Sequence, residues 1–208
     1  MPNSIVQYEP GAAAFAARLF GFSPAEEDLA RLAGALDGAV VNVSVRAQKG
    51  WLYLAVSDPA RFEVYETSVR RDAADKLFAY IHEVRVALGQ SQQGLGLRAF
   101  IRQVAGAQAM ELAYFKLWAA GNRLDTARNG YYTWARFGFD APLSGYHRRL
   151  LTNSLRGART VNEVIERGGS RWWWFNGDDT EMYFDLAEQS TMLRVFNAYL
   201  TEKGLTRE

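Results

Sequence analysis

Apolar and polar positions alternate with period two through much of the first half of the chain. Val41-Asn-Val43-Ser-Val45 has the pattern of a half-buried strand, and Trp51-Leu-Tyr-Leu-Ala-Val56 returns after a turn at Gln48-Lys49-Gly50. Asp58-Pro59 breaks the run. Phe62 to Val69 is a third strand and Leu77 to Ala87 a fourth, joined by the polar turn Arg71 to Lys76. Short polar turns between consecutive strands predict an antiparallel meander. Two helices precede it. Gly11 to Phe20 is short, alanine-rich and carries Arg18. Ser23-Pro-Ala-Glu-Glu-Asp supplies a capping serine, a proline in the first turn and acids against the dipole, with Leu29, Leu32, Ala33 and Leu36 as the apolar stripe and Asp37-Gly38 as the stop.

After Gly94 the period changes to that of a helix, with Leu97, Phe100, Ile101 and Val104 on one face. Leu112 to Ala119 is a continuous apolar run, which predicts a strand covered on both faces. A strand, helix and strand of this length favour a parallel crossover from the fourth strand to the fifth. The fold class is therefore α+β: a mixed central sheet, antiparallel first, flanked by helices. Beyond Pro142 the pattern predicts short helices over Tyr146 to Ser154 and Val161 to Arg167 and an aromatic turn at Arg171-Trp-Trp-Trp-Phe175. A last strand at Met182 to Leu186 and a helix capped by Ser190 and stopped by Gly204 complete it. With no repeat, low-complexity tract or linker, one domain over 1–208 is expected.

Composition narrows the chemistry. A net charge of +1 gives no general pull toward nucleic acid or an acidic membrane. With 0 cysteines, disulfides, thiolate metal sites and cysteine nucleophiles are excluded, and transfer chemistry must be direct or run through oxygen or nitrogen. A cytoplasmic setting is expected. No basic-then-apolar leader is visible, and no apolar run approaches the roughly 20 residues of a membrane span.

Two segments carry candidate chemistry. Ser91-Gln-Gln-Gly94-Leu-Gly96 follows the fourth strand and opens a helix, where free backbone N–H groups and the helix dipole suit a pyrophosphate or another anion. About forty residues on comes Asn129-Gly-Tyr-Tyr-Thr-Trp-Ala-Arg-Phe-Gly138-Phe139. The pair, in this order, resembles the GNAT superfamily of acyl-CoA-dependent N-acyltransferases, over a core of about residues 25–140 with 141–208 as an extension packed on it. In that family a Gln/Arg-x-x-Gly-x-Gly/Ala loop cradles the coenzyme A pyrophosphate. Gly94 and Gly96 match it, Ser91 stands at the leading position and Gln90 one place early. The second signature, an asparagine and a tyrosine-containing helix ending in Gly-Phe, looks like Asn129 through Phe139, with Trp134 at the position of the family's tyrosine acid.

The resemblance implies an N-acyltransferase using acetyl-CoA or another acyl-CoA as co-substrate, without a metal. Val84, Val86, Ser91, Gln92, Gln93, Gly94, Leu95, Gly96 and Asn129 would hold the coenzyme. The proton acceptor would be His82 or Glu83 on the fourth strand; alternation puts Tyr80, His82 and Val84 on one face and Ile81, Glu83 and Arg85 on the other, so only one faces the cleft. Tyr131 or Tyr132 would protonate the leaving thiolate, since the Trp134 indole offers a hydrogen bond but no useful proton. The acceptor would be an amine, on a small molecule or a peptide. A tRNA-linked acceptor stays open through the arginines after Pro142. The alternative is a non-catalytic binding or assembly module of the same fold with a decayed coenzyme site.

The remaining features have plain explanations. Three consecutive tryptophans, Trp172 to Trp174, sit about 100° apart on a helix and cannot share one core; core packing is favoured over an acyl groove or a homodimer contact. Arg148, Arg149, Arg156 and Arg159 read as a solvated face, Asp178-Asp179 with Glu181 as a solvated turn, and His147 as a surface or capping residue.

Overall fold

The computed structural model describes residues 4–46, 49–90, 93–125 and 127–206. Its α+β elements fall into two compact units, Met1–Phe115 and Lys116–Thr206. Among the described residues no helix is long and apolar enough to cross a membrane.

The first unit runs β1 (Ile5–Tyr8), α1 (Ala12–Phe20), α2 (Glu26–Leu32), β2 (Val40–Arg46), β3 (Trp51–Ser57), β4 (Phe62–Arg71), β5 (Leu77–Val86) and α3 (Leu95–Ala109). The β2–β5 strands form the expected antiparallel meander. Its sheet is mixed through β1, which pairs parallel to β2 from Ile5↔Val40 to Tyr8↔Val43. At four residues β1 is too short to show a period, so the pattern did not reveal it. Val41, Val43, Leu52, Leu54, Val69, Ala79 and Ile81 form the buried face. Gln103 of α3 anchors it: its amide accepts from the Tyr65 hydroxyl at 2.8 Å and donates to Thr67 Oγ1 at 2.9 Å and to the Leu32 carbonyl at 3.1 Å.

The second helix is shorter than its apolar stripe. Its N-cap is Ala25 rather than Ser23, and it stops at Leu32. Gly34 then turns left-handed (φ +76°), where a Cβ would lie 2.6 Å from the Tyr65 hydroxyl. Leu36 is buried beyond the helix end.

After α3 the chain returns to the sheet, with Ala113 N–H donating to the Leu77 carbonyl at 2.8 Å. The apolar run that follows becomes β6 (Tyr114–Ala119). Its burial alternates: Phe115, Leu117 and Ala119 are buried while Trp118 is 54% exposed. This corrects the expectation of a strand covered on both faces.

The second unit holds α4 (Gly130–Arg136), α5 (Gly145–Leu150), a 3-10 turn at Asn153–Leu155, α6 (Val161–Glu166), α7 (Ser170–Asn176), β7 (Thr180–Asp185) and α8 (Thr191–Glu202). Phe139, Phe184 and Phe196 meet in its core. Ser190 caps α8 as expected, accepting from Leu193 N–H. Asp140 is buried and its Oδ1 accepts from the Ala141 and Asn162 amides, both at 2.9 Å.

Candidate functional site

The junction of β5 and α3 carries the first motif. Gly94 is the N-cap of α3, in a left-handed conformation (φ 70°, ψ 13°), and among the described residues no side chain caps the helix. The first turn contains no acid. A Cβ at Gly94 or Gly96 would meet nothing among the described residues within 4 Å, so none of them fills the space over the helix start. Gln93 and Gly94 are exposed, while Leu95 and Leu97 are buried and pin the turn. An uncapped start to a 15-residue helix leaves N–H donors and the positive end of the dipole available to an anion. Ser91 and Gln92 lie outside the described residues.

On β5 an irregularity replaces simple alternation. The register passes from Thr67↔Ile81 to Glu66↔Glu83, leaving His82 as an extra residue, and a second shift follows between Phe62 and Val64. A bulge of this kind turns the residues beyond it to the other face. Glu83 lies opposite Glu66, which shares a face with Ser68 two positions along β4. His82 is on that same face, with Nε2 2.9 Å from Ser68 Oγ. Both base candidates therefore lie on one side of the sheet, and Val84, opposite buried Tyr65, lies on the other. Alternation had separated His82 from Glu83 because a bulge leaves no mark in hydrophobic period. Val86 is opposite Phe62 at the strand end.

His82 is half-buried and stacks on Tyr53, with ring centroids 5.2 Å apart. Burial, then the charges of Arg70, Arg46 and Lys49, hold its imidazole below the usual histidine range. It is thus neutral, and able to accept a proton, at pH 7. Glu83 is exposed and is bound by the Arg85 guanidinium, which also reaches Glu63 at 3.5 Å.

The second motif lies within the second unit. The exposed Asn129 starts α4, and its carbonyl accepts from Thr133 N–H at 3.0 Å. Gly130 sits where a Cβ would be 2.9 Å from the Ala120 carbonyl. Tyr131 is fully buried, and its hydroxyl donates to the Trp174 carbonyl at 2.8 Å. Burial pushes that hydroxyl up from the ordinary tyrosine value. Tyr132 is half-buried, edge-on to Trp174 at 4.8 Å. Trp134 packs on Phe137 and Phe139.

Of the three consecutive tryptophans, Trp173 alone is fully buried, with its indole N–H donating to the Tyr131 carbonyl at 2.9 Å. Trp172 bonds the Leu150 carbonyl, and Trp174 is 37% exposed. His147 is expected from the sequence to be a surface or capping residue. It is buried instead, beside Trp172 and Trp173, because the aromatic helix closes over it. Ser144 does the capping, accepting from His147 N–H.

A groove of about 400 Å³ in the second unit is lined by Arg136, Glu166, Arg194, Tyr199 and Glu202 among others. Its arginines pair with its own glutamates, and it contains none of the candidate catalytic or coenzyme-binding residues. Among the described residues no cluster of three or more His, Asp or Glu is gathered for a metal.

No protein-family model matches the chain, and no curated protein matches it. Among solved structures, it is similar to a Desulfovibrio desulfuricans protein named "putative acetyltransferase of the GNAT family". The two are 14% identical, and the match covers 87% of this chain and 96% of that one at a TM-score of 0.37. A likeness this distant assigns no activity.

Proposed function

We propose that this protein is a GNAT-like N-acyltransferase that moves an acyl group from coenzyme A to an amine by direct attack. The observation that supports this reading best is the junction of β5 and α3, with its uncapped helix start and two glycines that leave the approach open. Gln93, Gly94, Leu95 and Gly96 would hold the pyrophosphate through backbone N–H groups, with Ser91 and Gln92 assigned to the same loop by the resemblance alone. The backbone of Val84 and Val86 and Asn129 complete the assigned set.

In the reaction the amine nitrogen bonds to the thioester carbonyl carbon, the carbon–sulfur bond breaks and the amine gives up one proton. His82 is the favoured acceptor of that proton, because it is neutral at pH 7 and Glu83 is engaged by Arg85. A backbone N–H at the end of β5 steadies the oxyanion. The departing thiolate takes a proton from Tyr132, since the Tyr131 hydroxyl is committed to a buried carbonyl. Isothermal titration with acetyl-CoA and longer acyl-CoAs tests the reading; absence of binding to all of them rejects it.

A second reading is a non-catalytic module of the same fold. It is favoured by the sequestered Tyr131 hydroxyl and by Trp134 packed among phenylalanines where the family carries its tyrosine. Its coenzyme site would be decayed, so a folded protein that binds no acyl-CoA and releases no thiol in the presence of an amine panel would select it.

A further inference from the structure

The face of the β2–β5 sheet that carries His82 has a polarity of charge. At one end are three cations, each lying over an aromatic ring. Arg46 is 4.7 Å from the Tyr53 centroid, while Lys49 and Arg70 are 4.8 Å and 4.1 Å from that of Trp51. None of the three is ion-paired to a carboxylate among the described residues, and Arg70 Nε is buried without a hydrogen-bond partner. Asp72, in the turn between β4 and β5, is taken up by the Ala74 and Lys76 amides and the Tyr114 hydroxyl.

At the other end Glu66 and Glu83 stand directly opposite each other. Like charges in that position destabilise a sheet, and Arg85 relieves only Glu83. His82 and Ser68 lie between the two ends. Glu66, Ser68 and Arg70 are alternate residues of β4, so the carboxylate and guanidinium ends are about 13 Å apart along the backbone, with Ser68 midway.

What this face lacks is counter-charge, not stacking surface. Arg70 already lies over Trp51, Phe78 and Tyr80, and His82 over Tyr53. A single-stranded nucleic acid needs bare rings for its bases. A small molecule with opposite charges at its two ends needs only the ends. The lowered proton affinity of His82, traced to burial and to these same three cations, agrees with an unbalanced positive field there.

We propose that this face is the acceptor site, and that the acceptor is a small amine bearing a carboxylate or phosphate. The anion rests against Arg46, Lys49 and Arg70, and the amine lies toward His82 midway along the face, in the field of Glu66 and Glu83 beyond it. The word acceptor rests on the acyltransferase reading; the binding does not. An anion at the cation end cancels the field on the imidazole, so His82 reports occupancy.

The chain has 2 histidines, so imidazole NMR separates His82 from His147. The full-length protein is titrated with phosphoethanolamine, with glutamate and with ethanolamine at constant ionic strength. A shift of the His82 signals and a rise in its titration midpoint with either anionic amine, and not with ethanolamine, supports the site. Glutamate alone acting identifies a carboxylate ligand, and phosphoethanolamine alone a phosphate one. Arg70→Gln, and independently the exposed Arg46→Gln in case the first variant misfolds, weaken binding about tenfold or more.

No shift with either anionic amine overturns the proposal. So does an equal shift with ethanolamine, or a single-stranded oligonucleotide that acts at lower concentration. Thiol release from acetyl-CoA separates the two claims. Anionic amines that move His82 without thiol release leave the site standing and remove the transferase reading; thiol release from ethanolamine without any His82 shift does the reverse.

Discussion

His82 Nε2 and Ser68 Oγ share a hydrogen bond of 2.9 Å across β4 and β5, where burial, and then three cations, keep the imidazole short of a proton. The pH dependence follows from its sign. The folded-state value lies below the unfolded one of about 6.5, so below that pH the unfolded chain takes up a proton that the fold resists. Stability from this group is full above about pH 6.5 and declines as pH falls through the folded value. A transferase using His82 as base shows a flat rate near pH 7 and an acid limb below 6.5. Arg70→Gln moves that limb to higher pH, as pH–rate profiles and imidazole NMR would show; an unmoved midpoint contradicts the assignment.

Two glycines on α3 should respond to alanine in opposite ways. At Gly96 a Cβ meets nothing within 4 Å, so Gly96→Ala should stabilise the fold by about 0.5–1 kcal/mol through helix propensity. The same methyl group stands where the pyrophosphate would approach, and acyl-CoA affinity should drop. At Gly106 a Cβ lies 2.4 Å from the Leu32 backbone nitrogen, and Gly106→Ala should cost about 1–3 kcal/mol. Denaturant melts with coenzyme titrations check both. A stabilised Gly96→Ala variant that binds coenzyme unchanged would falsify the pyrophosphate role of this turn.

The adjacent tyrosines of α4 separate structure from chemistry. Tyr131→Phe leaves the Trp174 carbonyl without its donor and should cost about 1 kcal/mol of stability, with turnover per folded molecule kept. Tyr132→Phe should leave the melting point nearly unchanged and lower kcat by about a hundredfold, within the range of general acid catalysis. Thermal melts and thiol-release kinetics on the same samples decide. The opposite pattern assigns the acid to Tyr131.

Gln103 ties three elements together from the interior. Gln103→Leu removes an amide that serves Tyr65, Thr67 and Leu32 and leaves their buried polar atoms unpaired. A loss of about 2–4 kcal/mol is expected in chemical denaturation. A loss under 1 kcal/mol would mean that water replaces the network.

Much of the architecture could be read along the chain, because a half-buried meander shows its period directly. The β2–β5 strands, the helix after Gly94 and the cap at Ser190 all follow from local patterns. Features that depend on contacts distant in sequence were not legible. Just past the early end of α2, Gly34 is required because a Cβ there would meet the hydroxyl of Tyr65, 31 residues away. The burial of His147 depends on Trp172 and Trp173, and the commitment of Tyr131 on the Trp174 carbonyl. The Gly94 turn was visible because glycine, strand end and helix start are neighbours in the chain.

Local order alone gave most of the strands and helices, though not the four-residue β1 or the end of α2, since backbone propensity and side-chain period act over a few residues. Which face each reactive side chain occupies was left to the folded sheet. One extra residue at His82 re-registers β5 against β4 and brings Glu83 to the side of His82, whose imidazole feels the charge of Arg70. Strand pairing makes that choice through hydrogen bonds between residues well apart in the chain, and apolar spacing carries no record of it.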